Sequence, residues 1–390
     1  MKGIRESQFN EAFKDACELR RIIHSCPELG NSEHRTAEVI EEYLDSLGIP
    51  HERYLDTAVI GRIRLGASDS ENVKTVAIRA DIDALPIEEK TGCSWSSEVP
   101  GVMHACGHDV HTAALLGAAR LLAETDTDVS GNIVLIFQPD EEGSGGAMRL
   151  IEEGLLDGVQ AVFGAHVVPD IPEGSVGIRY GKFYAASDMY DITITGRACH
   201  GAQPEKGIDA LAAACEAAAA IKHIVDDETD RCAVTTGLIR AGSVRNAVAD
   251  SALLQGIIRS LGPENRARLK SKVEACVREA CSRFGASPEI SFIESYSGIV
   301  NTDKETEIAE KAAVSEFGED KVVRINEPLM TTEDFGFYVE KCTGCFYHIG
   351  AGCSMPLHHP EYLPTDRAVE TAMRMHYATA MSYLEDTENK

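Results

Sequence analysis

The chain has 390 residues, 44% of them hydrophobic and 26% charged, with a formal net charge of −26. That length allows two or three domains with full hydrophobic cores, and the composition is ordinary for a soluble globular protein. The negative charge argues against nucleic acid or an anionic membrane as a partner, since both would be repelled, whereas metal cations would be drawn to an acidic cleft.

Twelve cysteines are scattered along the chain, and Met1-Lys2-Gly3-Ile4-Arg5-Glu6 lacks the apolar core of a signal peptide. A reducing cytoplasm is therefore expected, with most thiols acting as small buried hydrophobes. No apolar stretch reaches membrane-spanning length. Cys342-Thr343-Gly344-Cys345 has the spacing of a redox pair or half a zinc motif. It has no second pair and does not open a helix after a strand, so it reads as a chance spacing.

In chain order, apolar positions at helical spacing predict helices over Asn10–Ile23 and Arg35–Leu47. Val73–Ile78 is a β-rich run ending in Arg79-Ala80-Asp81-Ile82-Asp83. His111–Leu122 is an Ala/Leu-rich helix, followed by Asn132–Phe137, a short apolar strand closed by Gln138-Pro139-Asp140-Glu141-Glu142. A short helix, Ala147–Glu153, precedes another strand, Ala161–Val167. Such alternation predicts a mostly parallel sheet covered by helices.

The pattern changes near residue 187. Met189–Thr195 alternates as a half-exposed strand should, and an Ala-rich helix, Ile208–Ile221, follows it. Cys232–Ile239 and Ser251–Ser260 read as strands, Pro263 opens a helix to about Phe284, and Glu289–Ile293 reads as a last strand. The order β-α-β-β-α-β is the split βαβ arrangement. Helices and strands then resume, ending in an amphipathic helix over Asp366–Leu384. The expected architecture is an α/β catalytic domain in two parts, residues 1–186 and 298–390, interrupted by an α+β domain over residues 187–297.

Chemistry concentrates where strands end. Cys106 and His108, in Met103-His104-Ala105-Cys106-Gly107-His108-Asp109, are two residues apart and can reach one metal ion from a loop. Glu141-Glu142 offers one carboxylate to bind metal and one to move a proton. His166 ends a third buried strand, and His358-His359 lies in a loop flanked by Pro356 and Pro364. Open α/β sheets place their sites at the carboxyl ends of such strands. The five candidate ligands Cys106, His108, Glu142, His166 and His359 are too many for one tetrahedral site and suit two metals sharing a bridge. Glu141, not needed as a ligand, is the natural general base, and one of Asp81 and Asp83 could orient a metal-bound histidine.

Arg79–Pro86, Met103–Asp109, Pro139-Asp140-Glu141-Glu142-Gly143 and Thr332-Glu333-Asp334-Phe335 together resemble one family. So do His24 with Pro27-Glu28-Leu29-Gly30, and His200-Gly201-Ala202-Gln203-Pro204. This is the metal-dependent aminoacylase and carboxypeptidase family, in the branch of hippurate hydrolases, auxin-conjugate hydrolases and N-acetyl-diaminopimelate deacetylases. The resemblance runs along nearly the whole chain and implies a zinc-peptidase-like catalytic domain with a lid and dimerisation insert. It implies a dinuclear amidohydrolase cleaving N-acyl amino acids, with a dipeptidase or carboxypeptidase as the alternative. Cys106 would bridge the metals, His108 and His166 would complete one, and Glu142 and His359 the other. Asp83 would orient His108, and Glu141 would be the base. In a homodimer, His200 would enter the partner's site to polarise the scissile carbonyl, and Arg245 and Asn246 would lie near the substrate. The donor set admits zinc, nickel, cobalt or manganese. Ala249 stands where this branch usually carries proline, and Cys199 precedes His200 where a smaller residue is usual, which weakens any substrate assignment made by analogy.

Overall fold

A computed structural model describes residues 3–66 and 73–386, which divide into two compact units. The first comprises Met1–Gly181, Asn301–Asn326 and Phe337–Lys390; the second comprises Lys182–Val300 with Glu327–Gly336.

An eight-stranded sheet organises the first unit. Its four central strands, in spatial order Gly131–Gln138, Thr75–Asp81, Ala161–Val168 and Thr343–Gly350, are mutually parallel. They are buried almost end to end, as strands covered on both faces must be. Thr75–Asp81 has Gly131–Gln138 on one side and Ala161–Val168 on the other. The chain thus leaves one strand to opposite sides of it, and the crevice beyond the carboxyl ends at such a switch point is where α/β sheets hold ligands. The antiparallel strands His51–Tyr54 and Ala58–Leu65 extend one edge.

His108–Ala123 is the central helix: fourteen of its sixteen residues are buried. It is apolar nearly all round because the sheet and the helices Glu6–Ser25 and Asp366–Glu385 surround it. Its first residues carry a buried ionic chain. Arg20 Nε donates to Asp109 Oδ2 at 2.9 Å, and His24 Nδ1 lies 2.9 Å from the same oxygen. Nε2 of His24 faces Glu89 Oε1 at 3.4 Å, and the indole of Trp95 packs edge-on against the imidazole at 4.8 Å. Arg20 also donates to Pro364 O at 2.7 Å, which ties the helix start to the proline-flanked loop around residue 358.

The second unit is a four-stranded antiparallel sheet in the order Ala233–Ala241, Ser251–Ser260, Ala186–Thr195, Ser287–Glu294. Helices Ala210–Lys222 and Pro263–Phe284 pack on it, around Tyr190, Ile192, Leu254, Leu269 and Val273. This is the β-α-β-β-α-β order read from the sequence. Glu327–Gly336 joins this unit through Leu329 N to Phe183 O at 2.8 Å and Ala185 N to Thr331 O at 3.1 Å.

Burial opposes charging His24, but Asp109 and Glu89 outweigh it and push its pKa up from 6.5 to about 9. The folded protein therefore holds a proton here that the unfolded chain releases, so this group's stabilisation is complete below pH 6.5 and is lost as pH rises through about 9. The melting temperature is expected to fall from pH 7 to 9.5 more steeply in the wild type than in His24→Gln. Parallel pH profiles of the two proteins would show that His24 carries no such linkage.

Candidate metal centre

Gly107 shapes the loop that presents the first two candidate ligands. Its φ of +88° is a left-handed conformation, and a Cβ there would come within 2.4 Å of Val167 Cγ2. Only glycine meets both conditions, and the turn it makes sets Cys106 before the helix and His108 as the helix's first residue. Both side chains are buried.

Each histidine shows its tautomer through its partners. Nδ1 of His108 lies 2.9 Å from Asp83 O and 3.1 Å from Asp83 Oδ1, both acceptors, so it carries the proton. Nε2 of His108 is buried without a hydrogen-bond partner. Nδ1 of His166 likewise donates to Val167 O at 2.8 Å, and its Nε2 faces Cys106 Sγ at 3.3 Å. His166 Nε2 thus faces the thiol, and the unpartnered Nε2 of His108 belongs to the same cluster of donor atoms. Asp83 Oδ2 also accepts the backbone N–H of Glu142 at 3.0 Å, joining the histidine side of the site to the glutamate turn.

The loop beyond Pro356 departs from the expected ligand set. His358, not His359, points at the cluster: its Nε2 lies 3.0 Å from Glu142 Oε1. The cause is the backbone, since His358 has φ +64°, uncommon for a residue with a Cβ, and its N–H is fixed to Ala105 O at 2.9 Å. His359 instead turns its Nδ1 to the N–H of Glu361 at 3.1 Å. His358, rather than the expected His359, is therefore the imidazole that lies with Cys106 and Glu142.

Two groups of donor atoms result, each lying within 4.8 Å: Cys106 with His108 and His166, and Cys106 with Glu142 and His358. They share the thiol. His108, Glu141 and Glu142 form a further such group. Glu142 Oε1, close to His358, still has no aligned hydrogen-bond partner. Orphaned buried donor atoms are costly unless something satisfies them, and a divalent cation suits a set of thiol, imidazoles and carboxylates. The electrostatics agree. Burial resists charge on His108, but Asp81 and Asp83 overcome it and push its pKa up to about 10. Burial, Glu142 and Glu141 push the Cys106 thiol well above its usual range. The acidic groups around His108 and Cys106 favour positive charge there, so a metal would bind in competition with protons.

His111 is a neighbour that the sequence reading did not select. Its Nδ1 lies 2.6 Å from Asp81 Oδ1, its Nε2 accepts Val167 N–H at 2.9 Å, and its ring packs edge-on against His166 at 4.8 Å. Asp81 is held in turn by Arg79 Nη1 at 2.6 Å. The spacing of His108 and His111, three apart on a helix, was the available signal.

His200, Arg245 and Asn246 lie on the second unit, all exposed. A short ladder pairs His200 with Ala247, and Gly201 N donates to Asn246 O at 2.8 Å. His200 Nδ1 accepts the N–H of Ala202 at 3.1 Å, which leaves Nε2 as a donor. Of the two departures noted above, Cys199 turns its thiol to Gln203 O at 3.3 Å, and Ala249 is buried. The Cys342 and Cys345 thiols are each pushed up to about 12, chiefly by burial, so they form no reactive pair.

The chain is similar to known proteins over most of its length. The model of Peptidase family M20/M25/M40 matches residues 77–382. The thermostable carboxypeptidase 1 of Saccharolobus solfataricus is 36% identical, over 94% of this chain and 94% of its own. An N-acetyl-L-cysteine deacetylase of Bacillus subtilis is 35% identical, over 95% of this chain and 88% of its own. The crystal structure of the Bacillus subtilis protein YXEP, described as a dinuclear metal binding peptidase, superposes with a TM-score of 0.86 at 31% identity, covering 96% and 99% of the two chains. The chain belongs to peptidase family M20/M25/M40 and is a metal-dependent hydrolase of amide or peptide bonds.

Proposed function

We propose that the protein hydrolyses the amide of N-acyl amino acids, releasing a carboxylic acid and a free amino acid, at a centre of two divalent metal ions. The observation that carries this reading is the pair of donor groups sharing Cys106. Cys106, His108 and His166 would hold one ion, and Cys106, Glu142 and His358 the other. Zinc, manganese, nickel or cobalt would each accept these donors. When bound, the ions would supply Lewis acidity for the amide carbonyl and would acidify the attacking water.

Glu141 acts as the general base. It takes a proton from water as the oxygen attacks the carbonyl carbon, and it returns that proton to the nitrogen as the C–N bond breaks. Asp83 keeps His108 in the tautomer that offers Nε2. His200, with Nε2 free to donate, polarises the carbonyl oxygen in the site of the partner chain, and Arg245 and Asn246 hold the substrate nearby.

The homodimer is supported by the edge strand Ala233–Ala241. Its run Val234-Thr235-Thr236-Gly237-Leu238-Ile239 has no charge to discourage pairing, whereas the opposite edge, Ser287–Glu294, carries Pro288, Glu289 and Glu294. All twelve cysteines are free thiols, which supports a reducing, cytoplasmic setting. A second reading, peptide hydrolysis at the carboxyl end, is favoured by the carboxypeptidase relative. Rates on N-acetyl and N-benzoyl amino acids compared with dipeptides separate the two readings.

Glu141→Gln is expected to keep its metal and to lose turnover by about a hundredfold or more, the scale of a lost general base. Near-normal turnover would remove Glu141 from the mechanism.

Elemental analysis should find Cys106→Ser depleted at both metal positions and His358→Ala depleted mainly at one, while His359→Ala keeps the wild-type content. Equal stoichiometry in the first two variants, or loss in the third, would overturn this ligand set.

Subunit mixing tests His200. Glu141→Gln and His200→Ala chains, each inactive alone, should recover about a quarter of wild-type activity on exchange, since half the dimers are mixed and each of those holds one intact site. No recovery after demonstrated exchange would confine His200 to its own chain or remove it from the reaction.

A further inference from the structure

Glu33 is fully buried, and the residues its carboxylate bonds are far from it in the chain. It stands at the N-cap of helix His34–Ser46, but its side chain does not cap that helix. Glu28 does so instead, accepting the N–H groups of Arg35 at 3.0 Å and Thr36 at 2.8 Å. Oε2 of Glu33 accepts Thr57 Oγ1–H at 2.9 Å, and Oε1 accepts the backbone N–H of Asp140 at 2.9 Å. Burial pushes the Glu33 carboxyl up to about 7, against the hydrogen bonds that favour its charge.

Asp140 begins the turn that delivers Glu141 and Glu142. It has φ +59°, in the left-handed region that is uncommon for a residue with a Cβ. Its carbonyl accepts Gly145 N–H at 3.1 Å and Gly146 N–H at 3.2 Å, and its carboxylate accepts Ser144 N–H at 3.2 Å. Gly30 and Gly143 close on Oδ1 so tightly that a Cβ at either would come within 2.2 Å of it. The carbonyl and Ser144 contacts come from within the turn, Arg149 Nη2 reaches Oδ2 at 3.5 Å, and Gly30 closes on Oδ1 from the N-terminal segment. The N–H contact is made by Glu33, from 107 residues away.

We propose that Glu33 is a positioning residue for the hydrolytic reaction, fixing the strained Asp140 backbone so that Glu141 is held at its working place. The inference rests on the reading of Glu141 as the base. Without the Glu33 acceptor, the Asp140 N–H is buried and unsatisfied, and the turn relaxes toward a conformation that meets water or another acceptor. A shift of ~1 Å in a proton-transfer group can cost about a hundredfold in rate, so a small relaxation is enough.

The test compares Glu33→Ala, Glu33→Gln and Thr57→Val in the full-length, metal-loaded enzyme, with Glu141→Gln in the same assay. Glutamine keeps an oxygen for Asp140 N–H and turns its amide to Thr57 Oγ1, which can accept, so Glu33→Gln should stay within about twofold of wild type. Glu33→Ala should lower kcat by about tenfold or more, with KM and metal content unchanged. Thr57→Val removes only the support of Oε2 and should lower the melting temperature while kcat holds. If Glu33→Ala does not fold, Glu33→Asp, which draws the oxygen back by one methylene, should show the same loss of kcat. Wild-type kcat in Glu33→Ala or Glu33→Asp, or equal losses in the alanine and glutamine variants, would overturn the proposal. Those outcomes beside an impaired Glu141→Gln would leave the base in place, whereas an active Glu141→Gln would remove the base itself.

Discussion

One carboxylate, Asp83, joins the two halves of this site. Its Oδ1 faces Nδ1 of His108, and its Oδ2 accepts the backbone N–H of Glu142. The first contact fixes which nitrogen of the imidazole is free to bind. The second sets the start of the Glu142 side chain relative to that imidazole. A loop after one parallel strand thereby controls a helix N-terminus and a turn after the neighbouring strand. Precise donor placement in a metal site requires shared partners of this kind, because independent side chains would each bring their own rotamer freedom.

Around this link the protein builds outward in rigid steps. Arg79 holds Asp81, Asp81 holds His111, and His111 holds the backbone beside His166. Arg20 holds Asp109 beside His108 and also the carbonyl of Pro364 beyond His358. Arg20 with Asp109 and Arg79 with Asp81 pair buried charges of opposite sign, which offsets the cost of removing both from water. The active centre is therefore surrounded by ionic pairs and chains, set in an apolar sheet and helix core. The N-terminal segment has the same purpose. His24, Glu28 and Glu33 fall within ten residues, and they reach respectively the helix start, the next helix and the glutamate turn.

Much of this was legible in the sequence. Long buried runs such as Ile133–Phe137 and Ala161–Val167 carry a strong strand signal, and the chemistry at their ends followed from position alone. The same pattern placed Cys106, His108, Glu142 and His166 together, and the structure brings them within reach of one another. The choice between His358 and His359 was not legible. Adjacent identical side chains differ only in backbone direction, and a left-handed φ at a histidine leaves no trace in composition. Thr343–Gly350 was not legible as a strand because cysteine, tyrosine and histidine interrupt its apolar residues. His111 and Glu33 were missed for a third reason: each reaches partners distant in the chain, a backbone N–H among them, which only the fold brings close.

The central claim is that one thiolate serves two metal positions with His358 at one of them. Anomalous diffraction from crystals of the metal-loaded protein measures this directly. The account predicts two peaks about 3.5–4 Å apart, both in contact with Cys106 Sγ, one also with His108 and His166 and the other with Glu142 and His358. A single peak, or a second ion ligated by His359 in place of His358, would contradict it.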